Sequence, residues 1–108
     1  MKKKKLDLIL PGTILFEEFM EPLGITAYRL SKGIKVQQTA VSQIIKGSRR
    51  ITVDMALRLS RYFGNSAQFW LNLQNFYDLE LETEKKKNII KAITPYRQMS
   101  SVPQYASV

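Results

Sequence analysis

The sequence contains neither cysteine nor histidine. Without cysteine the chain can form no disulfide bond and no thiolate metal site. Without histidine it lacks the commonest general base of enzymes and the commonest zinc ligand. Enzymes can also use carboxylates, but acidic residues are few, with 9 against 17 basic ones. We therefore expect a protein that is not an enzyme and has no catalytic residues, no metal site and no cofactor.

Long hydrophobic runs are also missing. The sequence has no run of about 18 apolar residues, the length that suggests a membrane-spanning helix. The lysines at positions 2–5 resemble the start of a signal peptide, but the apolar segment after them is short and is interrupted by Asp7, Pro11 and Gly12. We expect a cytoplasmic protein with no membrane partner.

The residues that are present are typical of a small, basic, globular protein. A length of 108 residues suits one domain, whose core is modest enough that dimerisation would add stability. The net charge of +8 and the pI of about 9.9 favour an anionic partner. Nucleic acid is the first expectation, followed by an acidic membrane surface and an acidic protein.

Apolar residues at helical spacing, separated by turn residues, predict five short helices and an all-α fold. The expected bounds are about 12–21, 27–32, 37–46, 53–63 and 67–77. Thr26 and Thr52 are suitable N-caps, and Gly47 and Gly64 are suitable C-terminal stops. A weaker sixth helix, containing the lysines at 85–87, is expected to end before Pro95. The residues expected to face the core are Leu15, Phe16, Phe19, Met20, Leu23, Leu30, Ile34, Val41, Ile44, Ile45, Ala56, Leu59, Phe63, Phe69, Trp70, Leu73 and Tyr77.

Residues 26–47 combine a short helix, a tight turn and a second helix, which is the helix-turn-helix arrangement. In that motif the second helix lies in the DNA major groove and its first residues meet the base edges. Glutamine can pair with adenine through two hydrogen bonds, while serine and threonine are adaptable. The candidate base contacts are Gln37, Gln38, Thr39, Ser42 and Gln43.

Basic and polar residues lie at both ends of this polar helix. In the expected geometry the first helix crosses the DNA backbone, and the residues after the second helix clamp it. These positions could be merely solvated, but cations at both ends favour DNA binding. The candidate phosphate contacts are Tyr28, Arg29, Lys32, Lys46, Ser48, Arg49 and Arg50.

Three segments resemble a known family. Residues 37–47, QQTAVSQIIKG, resemble the recognition helix of the phage-repressor-like (XRE, or Cro/C1) superfamily. Residues 11–24, PGTILFEEFMEPLG, and 56–79, ALRLSRYFGNSAQFWLNLQNFYDL, resemble the HigA antitoxin family, also known as virulence-associated protein I. The resemblance implies a compact five-helix lambda-repressor-like domain at about residues 11–81. A basic arm at 1–10 would precede it, and a C-terminal extension at 82–108, partly helical and then flexible, would follow.

Three positions depart from the family pattern. Leu10 replaces a usual histidine, Lys35 replaces a turn glycine, and Ala40 replaces a frequent arginine. Gly33 lies two residues before Lys35, so the geometry of the turn is open at this point. The operator sequence of relatives cannot be carried over to this chain.

The resemblance implies an antitoxin of a type II toxin–antitoxin module. Members of the family silence a HigB-like toxin of the RelE superfamily, which cleaves mRNA, and bind palindromic operator DNA as homodimers that repress their own operon. Phe76, Leu79 and Leu81 are the candidate dimer contacts, because the core of the domain should be filled without them. An acidic patch suits a basic toxin, and the candidate residues are Glu17, Glu18 and Glu21 or, alternatively, Asp78, Glu80, Glu82 and Glu84.

Three other functions remain as alternatives. A stand-alone XRE-family regulator without a toxin would share the fold and the DNA surface. A hydrolase or nuclease using carboxylates is disfavoured because no paired-carboxylate motif and no phosphate-binding glycine loop occur. A membrane-surface protein needs a basic amphipathic helix, and only residues 85–93 fit that pattern.

Overall fold

The computed structural model of the protein describes residues 8–96. The lysines at 2–5, and with them most of the arm expected at residues 1–10, lie outside the described residues. The same holds for residues 97–108 of the expected C-terminal extension.

The described residues form six α-helices and no strand, which confirms the all-α fold. A π-helical segment, Leu15–Met20, directly continues the first helix. The helices are α1 (Pro11–Ile14), α2 (Ala27–Ile34), α3 (Gln38–Lys46), α4 (Val53–Phe63), α5 (Ala67–Lys85) and α6 (Lys87–Lys91). None of them combines the length and the hydrophobicity that crossing a bilayer requires.

The π-helical segment replaces the α-helix expected over residues 12–21. Its hydrogen bonds span five residues, as in the bond from Glu21 N to Phe16 O (2.8 Å). This repeat buries Leu15 and Met20, which are five residues apart, at 1% exposure each. Phe16 and Leu23 were expected in the core, but Phe16 is exposed on the π-helical segment and Leu23 is exposed in the turn after it.

The helix ends follow the capping signals of the sequence. Thr26 and Thr52 each accept a hydrogen bond at Oγ1 from the backbone N–H three residues later, at 3.0 and 3.2 Å. Ser66 caps α5 in the same way. Gly47 and Gly64 end α3 and α4 in the left-handed conformation, as expected.

Thirteen buried apolar side chains form one core, which includes Leu30, Val41, Ile44 and Leu59 as the sequence predicted. Trp70 is fully buried at its centre, and its indole N–H donates to Asn65 Oδ1 at 2.9 Å. Aromatic rings, among them Phe19 and Phe63, surround Trp70 at centroid distances of 4.8 and 6.1 Å. The expectation that Phe69 is buried was wrong, since its ring lies at the edge of this cluster and is partly exposed.

Helix α5 is longer than the sequence predicted. It was expected to end near Tyr77 but continues to Lys85. No glycine or proline lies between these two residues, so nothing in the chain ends the helix there. The helix therefore extends beyond the core, and α6 follows it directly.

Candidate nucleic-acid interface

The turn between α2 and α3 is built around Lys35. This residue adopts the left-handed conformation (φ 58°, ψ 52°) at the position where the family pattern has glycine. Gly33, which the sequence suggested for the turn, instead lies within α2, where a Cβ would overlap the ring of Tyr62. The expected end of this helix at Lys32 was therefore two residues short.

Arg58 of α4 holds this turn in place. Its Nη1 donates to the carbonyl oxygens of Ile34 (2.8 Å) and Lys35 (3.0 Å), and its Nε donates to Asp54 (2.8 Å). These bonds satisfy carbonyls that the end of α2 leaves unpaired. The sequence alone does not reveal this role of Arg58, because the two carbonyls are more than 20 residues away along the chain.

Helix α3 has a polar side and an apolar side. At about 100° per residue, its polar residues fall within an arc of about 140°. The polar residues on this arc are Gln38, Thr39, Ser42, Gln43 and Lys46. The opposite side packs into the core through Ala40, Val41, Ile44 and Ile45. Ala40 is thus a buried residue here, and the arginine of the family pattern has no counterpart on this helix.

Gly12 brings α1 against the backbone of α3. A Cβ at this position would overlap the carbonyl oxygen of Ile44, so no other residue permits the same approach. Pro11 and Gly12 are both buried within the first turn of α1. This contact supports α3 on its buried side, and the polar side of α3 faces the solvent.

The end of α3 is closed by a Schellman motif. Gly47 (φ 90°) donates from its N–H to Ile44 O at 3.1 Å, and Ser48 donates from its N–H to Gln43 O at 2.9 Å. The chain therefore turns back along α3 directly after Lys46. This turn brings the side chain of Arg49 to Gln43, where its Nε donates to Oε1 at 2.9 Å.

A buried glutamine ties the loop after α3 to α5. Gln74, only 5% exposed, accepts a hydrogen bond at Oε1 from Ile51 N (2.7 Å) and donates from Nε2 to Asp78 (3.0 Å). The other carboxylate oxygen of Asp78 accepts a bond from Arg50. The sequence alone does not distinguish Gln74 from the exposed polar residues around it.

The surface that carries the candidate DNA contacts consists of α2, α3 with its N-cap Gln37, and the loop after α3. Of the candidate base contacts, Ser42 is half-buried and the other four are exposed. All seven candidate phosphate contacts are exposed, with Lys32 Nζ 5.4 Å from the ring centroid of Tyr28. We call this surface the DNA face.

The candidate dimer contacts lie on the second half of α5. Phe76 and Leu79 are 66% and 65% exposed, while Leu81 is half-buried. Phe76 and Leu79 are one helical turn apart and form an exposed apolar strip on this helix.

The two acidic clusters differ in their ion pairs. Within residues 8–96 the three glutamates of the first cluster are exposed, and no ion pair involves them. In the second cluster Asp78 pairs with Arg50, Glu82 pairs with two lysines, and Glu84 pairs with Lys87. The first cluster is defined by Glu17, Glu18 and Glu21, and we call it the acidic patch.

Known proteins share both this sequence and this fold. The helix-turn-helix family model matches residues 16–70. Virulence-associated protein I of Dichelobacter nodosus is 44% identical over 87 residues, which cover 81% of each chain. Antitoxin HigA-1 of Vibrio cholerae serotype O1 is 38% identical over 79 residues, covering 73% of this chain and 74% of that protein.

A solved structure agrees with these sequence matches. The Pseudomonas aeruginosa antitoxin HigA with the higBA promoter superposes with a TM-score of 0.79 at 41% identity, covering 82% of this chain and 98% of that chain. The sequence matches and the structural match thus both include HigA antitoxins. The chain belongs to the helix-turn-helix family and, within its XRE-type members, to the HigA antitoxins.

Proposed function

We propose that this protein is an antitoxin that binds operator DNA as a homodimer, represses its own operon and neutralises a HigB-like toxin of the RelE superfamily. The observation that carries the proposal is the DNA face, where a rigidly supported polar side of α3 is flanked by cations. The HigA relative from P. aeruginosa, at 41% identity, was solved with promoter DNA, which supports the same use of this surface.

Each part of the DNA face has a role in this proposal. Residues 11–81 act as the DNA-binding domain, and α3 enters the major groove. The five candidate base contacts meet base edges, and the seven candidate phosphate contacts fix the position of the helix. The bond between Arg49 and Gln43 gives Arg49 access to the bases as well as to the backbone.

Binding to the promoter of its own gene tests the DNA-binding function. Fluorescence anisotropy measures the affinity for this promoter and for an unrelated duplex over a series of salt concentrations. The comparison separates base contacts from phosphate contacts. We expect Gln38→Ala to weaken binding to the promoter alone. Arg29→Ala should weaken binding to both duplexes and reduce the slope of log K against log salt by about 1. Equal affinity of the wild-type protein for both duplexes would contradict operator recognition.

The homodimer is proposed to form through Phe76, Leu79 and Leu81. One helix-turn-helix reads only a few base pairs, and a two-fold dimer places two reading helices about 34 Å apart on DNA. The exposed apolar strip on α5 lies on the same helix that anchors the loop of the DNA face through Gln74.

The toxin is proposed to dock on the acidic patch. Its three carboxylates are unpaired within residues 8–96, whereas lysines and Arg50 already neutralise most of the second cluster. A basic toxin would therefore gain more from the acidic patch.

Co-expression with the flanking genes tests the antitoxin function. We expect a small basic protein to co-purify at a fixed ratio and to be toxic when it is expressed alone. Reversal of all three charges (Glu17→Lys, Glu18→Lys, Glu21→Lys) should weaken that complex more than Glu80→Lys with Glu82→Lys. Tight promoter binding without any protein partner would instead identify a stand-alone regulator.

A further inference from the structure

We propose that Gln43 and Arg49 act as one unit that reads a guanine in the major groove. This inference rests on the proposed DNA-binding function and assigns a base to one position of the half-site. It also gives Arg49 a role other than the backbone contact that the sequence predicted.

The bond between the two side chains limits what each can offer to DNA. The Nε–H of arginine can only donate, so the atom of Gln43 that faces it at 2.9 Å must be the acceptor Oε1. The bond occupies one of the two lone pairs of Oε1, so Gln43 keeps one acceptor position and its Nε2 donors. The Nη groups of Arg49 are not used by this bond and can only donate.

The backbone on both sides of Arg49 is held in place. Before it, Ser48 donates from its N–H to Gln43 O at 2.9 Å. After it, Arg50 pairs with Asp78, and Ile51 donates to the buried Gln74. These bonds hold the backbone at Arg49 beside α3, and the bond to Gln43 directs the Arg49 side chain along this helix.

The donors of Arg49 match guanine. In the major groove guanine offers two acceptors, N7 and O6, whereas adenine offers one acceptor and one donor. Gln43 by itself would suit adenine, since it has both an acceptor and a donor. With Arg49 bonded to Gln43, the Nη donors of Arg49 are brought to the same base. They can pair with both acceptors of guanine but would face the amino group of adenine, so guanine is preferred.

Selection from a randomised duplex library tests this preference with the full-length protein. We expect the wild type to select guanine at one position of each half-site and Gln43→Ala to lose selection there. Arg49→Lys keeps the charge but lacks the Nε–H fork, so it should lose the same guanine and keep the other positions. The matched control is Arg61→Lys, at an exposed position of α4 outside the DNA face, which should leave the whole selected sequence unchanged.

Modified bases then test the contact directly. Replacing that guanine with 7-deazaguanine removes the N7 acceptor and should lower wild-type affinity about tenfold, but should change the affinity of Arg49→Lys little. Hypoxanthine removes only the minor-groove amino group and should leave binding unchanged.

Two outcomes would overturn the inference while leaving DNA binding intact. One is selection of adenine by the wild type at the position that depends on Gln43. The other is an unchanged selected sequence for Arg49→Lys, which would make Arg49 a backbone contact. If the wild type selected no sequence at all, the proposed DNA-binding function itself would be wrong.

Discussion

At the scale of single residues, the turn of the helix-turn-helix is maintained at a conformational cost. Lys35 is left-handed, which costs an L-residue about 1–2 kcal/mol. The two bonds from Arg58 to the carbonyls of Ile34 and Lys35 offset part of that cost. Arg58 thus permits a non-glycine residue at this position.

Lys35→Gly should stabilise the protein. Glycine adopts the left-handed conformation without this cost. However, glycine also has more conformational freedom in the unfolded chain, which reduces the gain in stability by about 0.5–1 kcal/mol. We therefore expect the free energy of unfolding to rise by about 0.5–1 kcal/mol in urea denaturation. Gly33→Ala is the control and should lower the free energy of unfolding, because the new Cβ would overlap the ring of Tyr62. An unchanged or lower stability of Lys35→Gly would contradict this account of the turn.

At the scale of elements, the position of α3 depends on contacts from three neighbours. Gly12 lets α1 lie against its backbone, Arg58 fixes its entry, and Gln74 fixes the loop at its exit. All three contacts join residues that are far apart in sequence. The reading helix is therefore positioned by the rest of the domain and not by its own residues alone.

Gln74→Leu should destabilise the protein and loosen the DNA face. The buried N–H of Ile51 would lose its acceptor, which costs about 1–3 kcal/mol. Gln68→Leu on the same helix removes an exposed side chain and should change the stability by less than about 0.5 kcal/mol. Urea denaturation of both variants measures the difference, and equal effects would exclude a special role for Gln74.

At the scale of the whole molecule, three surface features lie on different elements. The exposed cations of the DNA face lie on α2, α3 and the loop after α3, the acidic patch lies on and directly after the π-helical segment, and the exposed Phe76 and Leu79 lie on α5. Under the proposed function, DNA, a toxin and a second copy of the chain would bind through different elements.

Leu79→Glu should weaken the proposed homodimer without unfolding the monomer. The side chain is 65% exposed, so the substitution should change monomer stability by less than about 0.5 kcal/mol. A two-fold interface would carry the new charge twice, and sedimentation over a concentration series should show a shift to monomer. Leu57→Glu, at a 56% exposed position of α4, is the matched control. Dissociation of this control alone would place the interface on α4.

The sequence by itself determined the all-α fold, the helix-turn-helix, the helix caps and the family. These features depend on hydrophobic periodicity and on capping residues, which act within a few positions along the chain. Only the tertiary structure decided the π-helical segment, the left-handed Lys35 and the buried Gln74. The bond between Gln43 and Arg49 also depends on a turn held in place by α5. These features result from packing between distant segments, and no local pattern in the sequence specifies which side chains will meet.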